Sequence, residues 1–157
     1  MNQQHYYSLI VAWTGNTGEG TSNYRTYERS HTITIAHKPD ILGTSDTAFN
    51  GDKTKHSPED LFLASIAACH MLWYLYLCAE AGVVITAYID NAKGVMVQTA
   101  DGGGYFTEVT LYPAITLRDE TMVVKATALH HDAHKLCYIA NSCNFPIHHQ
   151  PTFKIQA

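Results

Sequence analysis

The sequence predicts an α+β domain, and three features of the chain indicate it. Leu61–Ala79 is a long apolar segment without a charged side chain, which is typical of a helix. Segments that alternate β-branched or aromatic residues with polar ones lie before and after it, as expected of strands. A second amphipathic segment begins near Asp119. Because 157 residues is the usual size of one domain, we expect a single domain over residues 1–157.

The first helix has clear signals at both ends. Ser57 is a good N-cap, and Glu59 and Asp60 put negative charge at the positive end of the helix dipole. Gly82 suits the position just after the helix, so the helix is predicted over Pro58–Ala81. A helix that is apolar on every face has to be covered on every face, by a sheet and by helices of a partner subunit. This predicts a homodimer.

The same helix is almost long enough to span a bilayer at about 1.5 Å per residue. Ser65 and His70 lie inside it, and no positively charged flank accompanies it. We therefore predict a buried central helix and no membrane partner.

The remaining elements follow from local patterns. Asp101–Gly104 is a turn that joins two strands into a hairpin. Asp119 is a candidate N-cap for a second helix, and a short helical turn is expected over Cys137–Asn144. Strands are predicted over His5–Trp13, Tyr27–Ala36, Ile41–Thr44, Val83–Ala100, Tyr105–Arg118 and Thr152–Gln156. The apolar face of the second helix is predicted to consist of Met122, Val123, Ala126, Leu129 and Ala133.

Charge and cysteine usage exclude several classes of function. The formal net charge is -4 and no basic block is present, which argues against a nucleic-acid partner. Four cysteines without regular spacing do not form the pattern of a secreted disulfide framework. The first residues lack the features of an export signal, so we expect a cytoplasmic protein.

Two cysteines lie in distinctive segments: Cys69 in SPEDLFLASIAACHMLWYLYLCAEAG and Cys137 in HHDAHKLCYIANSCNFPI. A free cysteine in an apolar helix usually fills space, and it reacts only where something stabilises its thiolate. Glu59, His70 and the distant Cys137 in its own distinctive segment accompany Cys69, which favours a reactive thiol. The alternative for Cys137 is a structural cysteine in a helical turn, and Cys78 and Cys143 are predicted to be packing residues.

These segments resemble the OsmC/Ohr family of thiol-dependent peroxidases, in particular its OsmC-like branch. Pro58, Glu59 and Ala67–Cys69 are similar to the family's first motif, and Cys137 with Tyr138–Ser142 is similar to its second. In better-known relatives a proline follows the second cysteine, where this chain has Tyr138. The resemblance also covers Trp13–Asn16, Tyr88–Ala92 and Asn144–Pro146.

The resemblance implies a fold and an activity. It implies an intertwined homodimer in which curved antiparallel sheets wrap around long central helices, with active sites at the interface. Cys69 would attack a hydroperoxide and become a sulfenic acid, and Cys137 would resolve it into a disulfide. An external dithiol, such as a lipoyl-type reductant, would then reduce the disulfide. The apolar residues Phe62, Met71, Trp73 and Phe145 favour organic hydroperoxides, which implies a part in organic hydroperoxide resistance and the oxidative stress response.

The resemblance also implies an arginine held between the acidic residue, Glu59, and the peroxidatic cysteine. The chain has three arginines. We favour Arg29, with Arg25 next, because Arg118 ends a predicted strand without a motif around it. The chain lacks the Gly-Arg-x-Gly-Arg loop of the best-known branches and any arginine just before Pro58. A helix N-terminal acid is the alternative role for Glu59.

Two other functions compete with the peroxidase. The first is a non-enzymatic module that binds an apolar ligand or partner and whose cysteines only pack. The second is a zinc-dependent hydrolase, since His130, His134 and Cys137 have helical spacing and His70 adjoins Cys69. No Cys-x-x-Cys is present, and His130-His131 are interpreted as part of a polar, solvated helix face. We therefore predict no metal and no cofactor.

Overall fold

A computed structural model describes residues 3–157, and the chain forms one compact unit that ends at Leu61 and a second unit over Phe62–Ala157. Both helices and strands are present, which confirms the α+β class. The single domain over residues 1–157 stays a prediction. The elements are β1 (Ile10–Trp13), β2 (His31–Thr34), β3 (Ile41–Gly43), α1 (Pro58–Glu80), β4 (Ile85–Asp90), β5 (Lys93–Gln98), β6 (Gly104–Leu111), β7 (Pro113–Leu117), α2 (Val123–Leu136), β8 (Ile147–His149) and β9 (Thr152–Ile155).

In the first unit, β1, β2 and β3 form an antiparallel sheet in this order. Its strands are shorter than predicted, since β1 begins at Ile10 rather than His5. The sheet leaves much apolar surface open, and the side chains of Ile10 and Val11 are 66% and 60% exposed. In soluble proteins, a surface with so many large apolar side chains is normally covered by another segment or subunit.

Helix α1 begins and ends where its local signals predict. The Ser57 side-chain oxygen accepts from the backbone N–H of Asp60, and the Asp60 carboxylate accepts from the N–H of Ser57, a reciprocal pair that satisfies two helix-end donors. At the other end, Gly82 adopts a φ of 72°. The N–H of Val83 then donates to the carbonyl of Cys78 at 2.8 Å, so a glycine at position 82 closes the helix.

The single chain covers one face of α1. Ile66, His70, Tyr74 and Cys78 are buried, at a spacing of four residues. The stripe of Ala64, Ala68, Leu72 and Tyr76 is exposed, so the prediction of a helix buried on all sides does not hold for one chain alone. Among the described residues, α1 is also the one helix that length and composition would allow to cross a membrane, a property that core helices of soluble proteins share.

The second unit contains two three-stranded sheets, in the orders β4-β7-β9 and β5-β6-β8. The predicted hairpin is present, but each of its two long strands is divided in two. The division occurs where the Asp90 carboxylate accepts from the N–H of Tyr112 at 2.7 Å and Pro113 cannot donate. The β6–β8 and β7–β9 pairs are parallel, so the sheets are mixed rather than purely antiparallel as predicted. Strand β8 was not predicted.

Helix α2 follows a 3₁₀ turn over Glu120–Met122, whose N-cap is Asp119 as predicted. Its predicted apolar face is confirmed. Ala126 and Ala133 are fully buried against Tyr74, Ile115 and Leu117, with Met122, Val123 and Leu129 at the edge of this core. A second core surrounds Ile66, Val109 and Leu111. The predicted helical turn after α2 is a 3₁₀ turn over Ala140–Ser142.

Candidate active site

The structure brings Cys69 and Cys137 together within the second unit. Cys69 lies in the middle of α1 and is half-buried, whereas Cys137 directly follows α2 and is completely buried. Both are free thiols. Burial, followed by a hydrogen bond with the Cys69 thiol, raises the pKa of Cys137 to about 11. Cys137 is therefore protonated at neutral pH, and the two thiols lie close enough to influence each other.

The end of α2 fixes the position of Cys137. Its N–H donates to the carbonyl of Ala133 at 3.0 Å, and its Sγ accepts from the N–H of Ala140 at 3.4 Å. The next residue, Tyr138, is 67% exposed, and its ring meets that of Trp73 edge to face with centroids 5.6 Å apart. Trp73 follows Cys69 by one helical turn, so this aromatic contact joins the two cysteine segments next to the thiols.

Aromatic side chains line the Cys69 side of α1. In an α-helix, side chains that are four or seven residues apart lie on the same face. Phe62, seven residues before Cys69, and Trp73, four residues after it, therefore lie on the same face of α1 as Cys69. Phe62 also contacts Phe106 and Phe145, with ring centroids at 5.2 and 6.0 Å. Apolar side chains therefore lie on the Cys69 face of α1 on both sides of the thiol along the helix axis.

Glu59 and the arginines belong to the first unit, except for Arg118. Glu59 Oε2 is buried without a hydrogen-bond partner among the described residues, and no ion pair joins it to an arginine there. The Arg29 guanidinium lies 4.1 and 4.4 Å from the ring centroids of Tyr24 and Tyr27. It donates to the carbonyls of the same two tyrosines at 2.6 Å. Arg25 and Arg118 are exposed, and the roles of all three arginines stay predictions.

Similarity to known proteins identifies the family of this chain. The family of OsmC-like proteins matches residues 51–151, which is more than half of the chain and includes both thiols. The chain belongs to the OsmC-like family. No curated protein matches it.

Several solved structures of this family are similar to the chain. An OsmC-like protein of unknown function from Vibrio cholerae O1 is 26% identical, with a TM-score of 0.86 over 95% of this chain and all of that one. An organic hydroperoxide resistance protein from Elizabethkingia anophelis is 19% identical, with a TM-score of 0.68 over 98% and 100%. A Legionella pneumophila protein, described as an organic hydroperoxide resistance protein and predicted redox protein, is 17% identical, with a TM-score of 0.66 over 96% and 99%. The OsmC-like fold is thus common to all of them.

The burial of one histidine in this OsmC-like chain was not predicted from the sequence. His130 is buried rather than part of a solvated helix face, and only its neighbour His131 is exposed. His130 follows Ala126 by four residues and precedes Ala133 by three, a spacing that already puts it on the apolar face. It meets His70, which lies on the buried face of α1. Among the described residues no group of histidine, cysteine or acidic side chains is arranged to hold a metal ion.

Proposed function

We propose that this OsmC-like protein is a thiol-dependent peroxidase that reduces organic hydroperoxides by a two-cysteine mechanism. The observation that carries the proposal is the direct approach of the Cys69 and Cys137 thiols, which are 68 residues apart in the chain. Family membership and the hydroperoxide-resistance proteins among its structural relatives support the same conclusion.

The chemistry balances with these two residues and one external reductant. The Cys69 thiolate attacks one peroxide oxygen, the O–O bond breaks, and a proton goes to the departing alkoxide, which leaves as an alcohol. Cys69 is then a sulfenic acid. The Cys137 sulfur attacks this group, and water leaves as the disulfide forms. An external dithiol, for which we propose a lipoyl-type compound, returns both residues to thiols and is itself oxidised to a disulfide.

The difference in exposure and pKa between the two thiols supports their separate roles, with Cys69 as the attacking cysteine and Cys137 as the resolving one. The half-buried Cys69 is accessible to a substrate, whereas Cys137 has no exposed surface. The raised pKa of Cys137 also lowers the fraction of its thiolate at neutral pH, and a thiol is a much weaker nucleophile than a thiolate. Peroxide should therefore meet Cys69 first, and Cys137 should react only with the sulfenic acid beside it.

The apolar side chains on the Cys69 face of α1 support an alkyl or aryl hydroperoxide as substrate. Phe62 and Trp73 flank Cys69, and Tyr138 adds a further ring next to Cys137. Such surfaces favour an apolar substituent on the peroxide, since its burial removes apolar area from water at about 25 cal/mol per Å². Hydrogen peroxide offers no such area.

The exposed apolar surface supports the proposal of a homodimer. The stripe of Ala64, Ala68, Leu72 and Tyr76 on α1 is open in the single chain, with Leu72 63% exposed. A second copy that packs on this stripe would cover the helix on all sides. We also propose a cytoplasmic location, because reducing conditions there keep the cysteines and the external dithiol reduced.

Arg29→Ala is predicted to slow both alkylation of Cys69 at pH 7 and peroxide reduction, each by about tenfold or more, because an adjacent cation favours the thiolate. Glu59 has a buried oxygen without a hydrogen-bond partner among the described residues, which leaves it available to pair with a guanidinium. Activation then requires Arg29 to leave the two carbonyls that it now contacts. Glu59→Ala should have a weaker effect in the same direction.

Arg118→Ala is the matched control for this prediction, since it removes an exposed guanidinium from the other unit. Its alkylation and peroxide rates should equal those of the unmodified protein. If Arg25→Ala causes the loss and Arg29→Ala does not, Arg25 is the activating residue. Unchanged rates in both variants would rule out activation by either arginine.

The proposed function is tested by adding one equivalent of cumene hydroperoxide to the reduced protein and analysing it by non-reducing mass spectrometry. We expect a loss of two hydrogens and a single cross-linked peptide pair that contains Cys69 and Cys137. A Cys143→Ser variant should give the same product, because Cys143 packs in the second core. An unchanged mass, with the peroxide still present, would instead favour a binding module with structural cysteines.

A further inference from the structure

Two buried imidazoles, His70 and His130, and two half-buried ones, His134 and His149, form a cluster between α1, α2 and β8. His70 Nε2 lies 3.0 Å from His130 Nδ1, and the two ring planes are parallel within 6°, so the rings meet edge to edge in a hydrogen bond. His149 of β8 stacks on His70 with ring centroids 4.4 Å apart. His134, one turn after His130, meets His149 edge to face at 5.0 Å. We call these four residues the histidine cluster.

The cluster is short of hydrogen-bond partners in any tautomer. A neutral imidazole has one N–H donor and one acceptor nitrogen, so the bond between His70 and His130 leaves one donor and one acceptor at the outer ends of the pair. Those outer atoms, His70 Nδ1 and His130 Nε2, are buried without hydrogen-bond partners among the described residues, as are His134 Nδ1 and His149 Nε2. Adding a proton would put a charge and a further unpaired donor into the same core, which is costly.

The surroundings of the cluster disfavour such a proton. Burial first, and then the neighbouring imidazoles, lower the pKa of His70 to about 3 and the pKa values of His130 and His149 to about 4. The other titratable groups here are Tyr74 of α1, which stacks on His130, and then Tyr88 and Asp90 of β4, with His131 and His148 exposed on α2 and β8. None of the four imidazoles forms an ion pair with a carboxylate of the described residues.

The cluster joins α1, which carries Cys69, to α2, which Cys137 directly follows. His70 is next to Cys69 in α1, and α2 carries His130 and His134 just before Cys137. Tyr74 strengthens the same contact, since its hydroxyl donates to the carbonyl of Ala126 at 3.0 Å. A separation of α1 from α2 at the cluster would therefore move Cys137 away from Cys69.

We propose that the histidine cluster is an acid-sensitive latch, in which neutral His70 and His130 are positioning residues that hold α1 against α2 and so keep Cys137 beside Cys69. Acidification below about pH 6 opens the latch, because a histidine in solvent takes up a proton near pH 6.5 and the closed cluster does not. The latch itself is independent of the proposed function. Its consequence, loss of the resolving step in acid, rests on that function.

The sign and steepness follow from proton linkage. The opened state binds more protons than the closed one between the lowered pKa values and about 6.5, so opening becomes more favourable as the pH falls through this window. Each of the three histidines then contributes a factor of up to about ten per pH unit to the opening constant. Together they give up to about a thousandfold per pH unit, a transition far steeper than that of one histidine.

The test uses 4,4′-dithiodipyridine, which reacts with thiols in acid, on the whole protein between pH 7.5 and 4.5. The reagent first forms a mixed disulfide on one cysteine and releases one thiopyridone. An adjacent second thiol displaces the other thiopyridone and forms the Cys69–Cys137 disulfide, whereas a distant one acquires its own pyridyl group. Mass spectrometry gives the fraction of each product, and near-ultraviolet circular dichroism follows the opening.

The informative variant is His70→Gln with His130→Asn, whose amides occupy the positions of the two bonded nitrogens but do not titrate. We expect the unmodified protein to change steeply from disulfide to pyridyl adducts below about pH 6, reversibly, and the variant to change at a pH at least half a unit lower and less steeply. The control, His131→Gln with His148→Gln, removes exposed imidazoles and should follow the unmodified protein.

Two results would overturn the latch: equal disulfide yields at pH 7.5 and 4.5 in the unmodified protein, or identical pH profiles for it and the amide variant. If the amide variant does not fold at pH 7.5, His149→Gln is used instead and should lower the steepness by about one proton. No peroxide is present in this experiment, so a failure of the peroxidase assay would leave its outcome unaffected.

Discussion

Replacing Cys69 by serine is expected to abolish hydroperoxide consumption. The serine hydroxyl is close in size to the thiol, so the half-buried position should tolerate it and the fold should persist. An alcohol without a base beside it is not deprotonated at neutral pH and cannot attack the peroxide oxygen. The measurement is the rate of cumene hydroperoxide loss in the presence of an excess of lipoyl-type dithiol, together with circular dichroism to verify the fold.

Cys78→Ser is not a suitable control, because Cys78 lies in the main core, where a hydroxyl would need a new partner. Cys143→Ser is better matched, since that residue is half-buried like Cys69. It should retain full activity. If the Cys69→Ser protein consumed peroxide at the normal rate, the peroxidase proposal would be wrong.

Replacing Cys137 by serine is expected to separate the two half-reactions. One equivalent of peroxide should still oxidise Cys69, because the attacking thiol is untouched. The sulfenic acid then has no neighbouring thiol, so it persists or is oxidised further, and multiple turnover through the internal disulfide is lost. Dimedone added after the peroxide should label Cys69 in this variant, and mass spectrometry should locate the label.

The unmodified protein is the comparison for this experiment. It should give little label at Cys69, because the Cys137 thiol lies beside it and consumes the sulfenic acid first. Cys137→Ser protein with normal multiple turnover and no label would show that another group resolves Cys69.

Short-range signals made α1 predictable from the sequence. Its start depends on Ser57 and Asp60 and its end on Gly82, and all three act through neighbouring backbone groups. The apolar face of α2 was predictable for a similar reason, because the helical repeat alone puts Ala126 and Ala133 on one side. The pairing of Cys69 with Cys137, in contrast, was implied by resemblance to a family and not by any local pattern.

Other features depend on contacts between distant segments and could not be predicted locally. The division of the long strands requires the Asp90 side chain to reach Tyr112, which is 22 residues away. The histidine cluster combines residues of three elements, and each of these histidines by itself resembles an ordinary polar residue. The parallel pairs were missed because β8 is only three residues long and has no alternating pattern.

The parallel strands β8 and β9 also determine the order in which the second unit can form. Val109 pairs with Ile147 and Ala114 with Thr152, and both pairs are separated by 38 residues. During synthesis β6 and β7 therefore emerge with an open edge each, and these edges stay open until residues 147–155 have left the ribosome. Such non-local pairings form slowly, and His149 reaches its position beside His70 only when β8 pairs with β6. The newly made chain thus completes its histidine cluster last, when His149 joins the three histidines of α1 and α2.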